Sequence, residues 1–543
     1  MKAAELFIRC LENEEVQYIF GIPGEENLDL MDALLDSPIQ FVLTRHEQGA
    51  AFMADVYGRL TGKAGVCLAT LGPGATNLVT GVADANMDRA PLVAIAGQAS
   101  TRRLHKESHQ VLDLVNLFEP ITQFSTQILS PEVIPEVVRK AFKVAEAEKP
   151  GCCFIDFPEN IAEMPVEKQP LKRQSPLPPF PHPQKVQQAA ELINQARYPI
   201  ILAGNGVIRR QASAALHQFA EQFNIPVATT FMAKGAIPCS SPYSLGTIGL
   251  QAHDYIACGI DQADLVICIG YDVVEYPPQI WNPQARCHIV HLDSKPAEVD
   301  EHYIVQAGLV GDIAQALEAL SRLCQPHPNS PYLPVKREVE KHLHQHDHDI
   351  GFPLKPQKIL YDLRQALAPQ DIIISDVGAH KMWIARLYQT LAPNTCLISN
   401  GFAAMGIALP GAIAAKLAKP DQVAVAVTGD AGFLMNVQEL ETAVRLKLAL
   451  IVLIWNDASY GLIRWKQQNQ FGRESHIDFT NPDFLKLADA FGAKGYRIES
   501  AAQLLPTLQQ AIRDQCVVLI DCPVDYSENL KLTEELGKMV CPV

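Results

Sequence analysis

A chain of 543 residues is too long for a single hydrophobic core, and three domains of about 180 residues each are the natural division. With 48% hydrophobic and 19% charged residues the composition is that of an ordinary globular α/β protein, and no uninterrupted apolar run reaches the roughly 18 residues needed to cross a membrane. The net charge of −15 provides no basic footprint, which argues against nucleic acid or an anionic membrane surface as partner.

The chain starts Met1-Lys2-Ala3-Ala4-Glu5 with no secretory pattern, and its 13 cysteines form no Cys-x-x-Cys pair. Reduced thiols in a cytoplasmic protein are the expectation. Short apolar runs closed by Gly, Pro, Asp or Asn alternate with longer helical patterns, the signature of βαβ units. The expected fold class is α/β, with three doubly wound domains built on parallel sheets. In the first domain, residues 1–163, strands are predicted at Tyr18–Phe20, Phe41–Thr44, Val66–Thr70 and Leu92–Ala96. Residues 164–184, rich in proline and without an apolar period, read as an extended surface linker.

The second domain, residues 185–325, has predicted strands at Ile200–Ala203, Leu265–Ile269 and Ile289–Leu292. Its Gly204-Asn205-Gly206-Val207 is a faint dinucleotide-like turn, for which close packing is the simpler account. Residues 326–356 read as a second, polar and solvated linker. The alternate spacing of the histidines within 342–348 puts successive imidazoles on different helix faces, which argues against a shared metal ion. The third domain, residues 357–543, has predicted strands at Ile372–Ser375, Val423–Thr428, Leu450–Trp455 and Val517–Asp521. Domains one and three share a layout that suggests duplicated folds, without a clear sequence repeat.

The chemistry concentrates where Val423–Thr428 runs into Gly429-Asp430-Ala431-Gly432. A helix is predicted from about Asn436 to Lys447, and then Leu450–Trp455 ends in Asn456-Asp457. Asp430 and Asp457 thus close two parallel strands joined by one helix, at the sheet edge where ligands bind. Two carboxylates with nearby backbone carbonyls suit Mg²⁺, and the glycines let a diphosphate approach the backbone. Gly-Asp-x-Gly alone is an ordinary strand–turn–helix; Asn-Asp at the end of the next strand makes the signal strong. In the first domain, Glu47 of Thr44-Arg45-His46-Glu47 follows a strand and opens a helix starting near Gln48. By itself that is only a favourable first-turn charge.

Together these segments resemble the thiamine diphosphate-dependent enzymes. The resemblance extends over the whole chain and is nearest to acetolactate synthase catalytic subunits and flavin-free 2-oxo acid decarboxylases like them. It rests also on Phe20-Gly21-Ile22-Pro23-Gly24, Leu71 to Asn77, Ser399 to Gly406 and Glu439 to Ala443. It implies that Asp430, Asp457 and the carbonyl of Ser459 ligate Mg²⁺. Glu47 is then the glutamate that shares a proton with N1′ of the aminopyrimidine, and Gln110 reaches the reacting end of the cofactor. Thiamine diphosphate would be held by Pro23, Gly24, Glu47, Gly378, Ala379, His380, Ala403, Met405, Gly429, Asp430, Ala431, Gly432, Tyr460, Gly461 and Leu462. Among these, Met405 is the wedge that bends the cofactor, and the carbonyl of Ala403 accepts from its 4′-amino group.

The resemblance further implies a homodimer or dimer of dimers with the site at the subunit interface, a 2-oxo acid substrate, and no FAD. Gly270-Tyr271-Asp272-Val273-Val274-Glu275-Tyr276 resembles the flavin-free members. His109, Arg464 and Lys466 are candidate substrate residues. Lys466 stands where relatives place an aromatic residue or a glutamine. It could pair with the distal carboxylate of 2-oxoglutarate, giving succinate semialdehyde, or simply extend to solvent along Trp465. The expected activity is that of acetolactate synthase, with 2-oxoglutarate decarboxylase as alternative. A flavin-dependent pyruvate oxidase or a non-catalytic relative is the weaker reading.

Overall fold

The computed structural model describes residues 1–174, 178–249, 255–327 and 332–529. Within them lie three six-stranded sheets in which neighbouring strands are parallel. The first comprises β1 (Tyr18–Gly21), β2 (Gln40–Leu43), β3 (Gly65–Ala69), β4 (Leu92–Gln98), β5 (Phe124–Gln127) and β6 (Cys152–Pro158), ordered β2-β1-β3-β4-β6-β5. The second comprises β7 (Pro199–Ala203), β8 (Val227–Thr229), β9 (Ser244–Thr247), β10 (Leu265–Ile269), β11 (His288–Asp293) and β12 (Val305–Val310), ordered β12-β11-β10-β7-β8-β9. The third comprises β13 (Ile372–Ser375), β14 (Cys396–Ile398), β15 (Ala424–Gly429), β16 (Leu450–Asn456), β17 (Lys494–Arg497) and β18 (Val517–Pro523), ordered β14-β13-β15-β16-β18-β17. Numbered from its own first strand, the third sheet repeats the order of the first, so the shared layout is a shared topology.

Every strand predicted from sequence forms, to within about two residues at its ends. The sequence did not reveal β5, β6, β8, β9, β12, β14 or β17. Most are short, β17 is polar, and the run of β6 is interrupted by the buried Asp156. The helix predicted from Asn436 to Lys447 forms over Glu439–Arg445, and a short helix that the sequence did not reveal, Asp430–Met435, precedes it with a break at Asn436. Tertiary bonds explain the break: Asn436 Nδ2 donates to Gly406 O at 2.9 Å and to Gln48 Oε1 at 3.3 Å.

The second linker is not solvated throughout. It contains the helix Leu333–His344, whose Lys336 Nζ donates to the carbonyls of Ser241 and Ser244, while Tyr332 is buried just before it. Of its histidines, His344 pairs with Asp347 and His346 faces Asp349 and Glu528. The proline-rich linker is strapped onto the first domain by Arg173, which pairs with Glu15 and Glu146; positions 175–177 lie outside the described residues.

The first and third domains meet through small residues. The helix Glu47–Thr61 packs on Pro73–Met87 of its own domain and on Ala408–Ala418 of the third. A Cβ on Gly81 would fall 2.5 Å from Ala51 Cβ, and one on Gly411 would fall 3.0 Å from Val56 Cγ2, so the backbones approach closely only because these positions are glycine. Among the described residues, no helix is long and apolar enough to cross a membrane.

Candidate active site

In the third sheet the strand order reverses between β13 and β15, and the loops leaving their carboxyl ends diverge to open a crevice. A cavity there is lined by Gly378, Ala379 and His380 after β13, by Ala403 and Met405, and by Gly429 to Gly432 after β15. Asp457, Ser459, Tyr460, Gly461 and Leu462 after β16 complete it. All the third-domain residues expected to hold cofactor or metal are thus in one place. Val377 and Ile463, neighbours of those residues in the chain, also line it, as does Tyr526, which nothing in the sequence marked.

Asp430 organises this edge. Its Oδ2 accepts the N–H groups of Asp457 (3.2 Å) and Ala458 (2.7 Å) and the side-chain amide of Asn481 (2.7 Å), while Oδ1 accepts from Ala431 N at 2.8 Å. Burial raises its carboxyl above the ordinary value. Burial, then the charge of Asp430, pushes Asp457 up to about 7. A buried carboxyl and a partly buried one that its charge disfavours fit a divalent cation, which would relieve both. Two buried polar atoms of the same cavity, His380 Nε2 and Ser459 Oγ, have no hydrogen-bond partner among the described residues. Burial holds the His380 imidazole down at about 3, so it is neutral. A Cβ on Gly432 would fall 2.8 Å from Asp376 Oδ1. A glycine-floored cavity with orphaned polar atoms beside paired carboxylates fits a Mg²⁺-bound diphosphate.

The first domain offers the matching edge, again where the strand order reverses, between β1 and β3. Pro23 and Gly24 follow β1, Glu47 follows β2, and the turn Gly72 to Asn77 follows β3. Glu47 is buried, and its Oε2 accepts from Asn77 Nδ2 at 2.9 Å. Gly74 faces the other oxygen, since a Cβ there would stand 3.4 Å from Glu47 Oε1. Gln110 and His109 lie on an exposed loop that reaches this edge, for a Cβ on Gly72 would fall 2.7 Å from Gln110 O. None of these first-domain residues lines the third-domain cavity of the same chain.

Gln110, Ala403 and Ala458 all adopt positive φ, at 58°, 60° and 52°. Each non-glycine residue in that region costs about 1 kcal/mol or more, and here the three fall on three different segments of the site.

The remaining candidates are placed differently. Arg464 lines a neighbouring cleft with Asp457 and Tyr526 and is ion-paired to Glu474 and Asp478. Lys466 is exposed on the helix Gly461–Phe471 and lines neither cavity. In the middle domain the Gly204–Gly206 turn is a packing turn. A Cβ on Gly204 would fall 2.4 Å from Gly270 O, and Glu275 accepts from Asn205 N. Asp272, at the same sheet edge, pairs with Arg89 and Lys149 of the first domain.

Comparison with known proteins agrees with this geometry. Residues 1–117, 186–320 and 376–522 match the N-terminal TPP binding domain, central domain and C-terminal TPP binding domain of thiamine pyrophosphate enzymes. The chain is 36% identical to "Acetolactate synthase" of Bacillus subtilis over 99% of this chain and 97% of that one. It is 37% identical to "Acetolactate synthase, catabolic" of Raoultella terrigena, covering 98% and 97% of the two chains. It is 38% identical to "Probable acetolactate synthase large subunit" of Methanocaldococcus jannaschii, covering 99% and 94%. With its three α/β domains in the matching order and the signature residues gathered at one sheet edge, the chain belongs to the acetolactate synthase family of thiamine diphosphate-dependent enzymes.

Proposed function

We propose that the chain decarboxylates a 2-oxo acid and transfers the remaining unit to a second one, as in the joining of two pyruvates to acetolactate with loss of CO₂. The observation that carries this reading is the convergence of Asp430, Asp457 and the orphaned His380 Nε2 in one glycine-floored cavity. Asp430, Asp457 and the carbonyl of Ser459 would hold Mg²⁺, and the Gly378–His380 turn would hold the diphosphate. Thiamine diphosphate, when bound, supplies a carbon nucleophile for the 2-oxo carbonyl and an electron sink for decarboxylation.

The protein's own part is placement and proton control. Glu47, oriented by Asn77, gives or takes a proton at its free oxygen. Met405 and the Ala403 carbonyl shape the cavity wall, and the loop bearing His109 and Gln110 meets the substrate. Because the Glu47 edge stands outside the cavity of its own chain, a second copy brings its Glu47 to the cofactor, in a homodimer or dimer of dimers. The reading includes no flavin, since side chains of the first and middle domains already pack the middle sheet's carboxyl edge.

One observation favours a second reading. Lys466 stands three and four residues beyond Ile463 and Leu462, on the helix face with which those residues line the cavity. It makes no hydrogen bond or ion pair to another described residue. A distal carboxylate on a longer 2-oxo acid would find it there. Incubation with pyruvate and with 2-oxoglutarate, each with thiamine diphosphate and Mg²⁺, separates the readings: acetolactate marks the first and succinate semialdehyde the second. Neither product with either acid would overturn both.

A further inference from the structure

Two buried carboxylates of the first domain grip the loop that carries Ala403 and Met405. Asp88 accepts the N–H of Gly401 at 2.5 Å and of Asn400 at 3.0 Å. Asp84 accepts Ser399 Oγ at 2.7 Å and Ala404 N at 3.1 Å. Both are fully buried, and Arg59 Nη2, 2.9 Å from Asp88 and 3.2 Å from Asp84, bridges them. Gly401 is required for this approach, since a Cβ there would fall 2.7 Å from Asp88 Oδ1.

The third domain does the same in return. Glu439, fully buried, accepts at Oε1 the N–H groups of Arg45 and His46, both at 3.0 Å, in the turn that delivers Glu47. Its Oε2 takes the Thr442 hydroxyl at 2.7 Å. Gly49 again leaves the room, a Cβ there falling 2.7 Å from Glu439 Oε1.

Hydrogen bonds from N–H groups to a carboxylate are roughly twice as strong as neutral ones. Here they hold two loops by their partly buried N–H groups, one of the loops being strained at Ala403. We propose that Asp84, Asp88 and Glu439 are positioning residues: within one chain, each cofactor-binding domain uses buried carboxylates to fix the catalytic loop of the other. None of the three lines the cofactor cavity. The proposal rests on the thiamine diphosphate reading above.

The test uses the full-length holoenzyme and measures thiamine diphosphate affinity and the exchange rate of its C2 proton by NMR. Glu439→Ala leaves the Arg45 and His46 N–H groups unpaired and lets Glu47 drift. Exchange should slow roughly 10- to 100-fold, with cofactor affinity near wild type because the diphosphate anchor is untouched. Glu439→Gln keeps an acceptor for both N–H groups and a donor for Thr442, and should recover most of the rate. Ser399→Ala removes one donor from Asp84 and should slow exchange by about 3- to 10-fold.

A purely structural role would instead lower melting temperature and affinity together, and glutamine would not restore the exchange rate. Wild-type exchange in both Glu439→Ala and Ser399→Ala overturns the proposal. If Glu439→Ala does not fold, Ser399→Ala decides alone. Wild-type protein that neither binds thiamine diphosphate nor exchanges its C2 proton overturns the underlying reading instead.

Discussion

Asn77 donates its side-chain amide to Glu47 across 2.9 Å, joining the helix that follows β3 to the one that follows β2. One carboxylate oxygen is thereby committed and the other, beside Gly74, is left for a ligand. Glu47→Gln should preserve the fold and cofactor binding while removing most turnover, because an amide cannot exchange the proton. C2-proton exchange on bound thiamine diphosphate should fall with turnover; a wild-type exchange rate in this variant would remove Glu47 from the mechanism.

Asp430 accepts four hydrogen bonds that fix the chain at Ala431, Asp457, Ala458 and Asn481. Asp430→Ala removes a metal ligand and also loosens the turn bearing Asp457 and Ser459. Titration of the apoenzyme at limiting Mg²⁺ should show thiamine diphosphate affinity weakened by roughly 10- to 100-fold. Unchanged affinity would mean that the metal is held elsewhere.

If the first-domain edge of one chain serves the cavity of another, two inactive variants complement each other. Mixed and reassembled Glu47→Gln and Asp430→Ala chains form heterodimers in which one of the two sites has both residues intact. Random mixing should recover about a quarter of wild-type activity. A site contained within one chain predicts no recovery.

Glu275 supplies a pH-dependent contribution to stability. Burial, opposed by the Thr230 hydroxyl and Arg209, raises its carboxyl from an ordinary 4.5 to about 7. Between those values the native state holds a proton that the unfolded chain has released, so this group's contribution to stability is lost as pH rises through 7. Glu275→Gln keeps an acceptor for Asn205 N and removes the titration. Its stability relative to wild type should therefore rise across that window, by up to about 1.4 kcal/mol per pH unit. Denaturant unfolding at several pH values checks the slope, and a flat difference excludes the effect.

Lys466→Gln distinguishes the two substrate readings. If Lys466 takes a distal carboxylate, the variant should lose on the order of 10- to 150-fold in kcat/KM for 2-oxoglutarate, with little change for pyruvate. An unchanged ratio of the two kcat/KM values would assign Lys466 to solvent.

The third-domain half of the site was legible in the sequence because local chain order builds it. Gly429-Asp430 ends one strand and Asn456-Asp457 the next, so parallel pairing of β15 with β16 brings the two carboxylates together with no further information. The Glu47 turn was legible as the start of a helix after a strand, and its role only through the resemblance. Sequence did not reveal Asn481, Tyr526 or the action of Glu439 on Arg45 and His46, because each depends on segments far apart in the chain meeting after the sheets have formed.

The late start of the helix at Glu439 has the same cause, because Asn436, where it was expected to begin, is held by Gly406 and Gln48. The polar run before the third domain is helical because Lys336 and Tyr332 find partners on the middle domain, and composition alone does not encode those. The sequence by itself determined the α/β class, eleven of the eighteen strands among the described residues and the acids that close two of them, since alternation of short apolar runs and turn residues is a local property. Tertiary structure decided which carboxylates hold which loops, because a buried acceptor has meaning only once the donors that face it are in place.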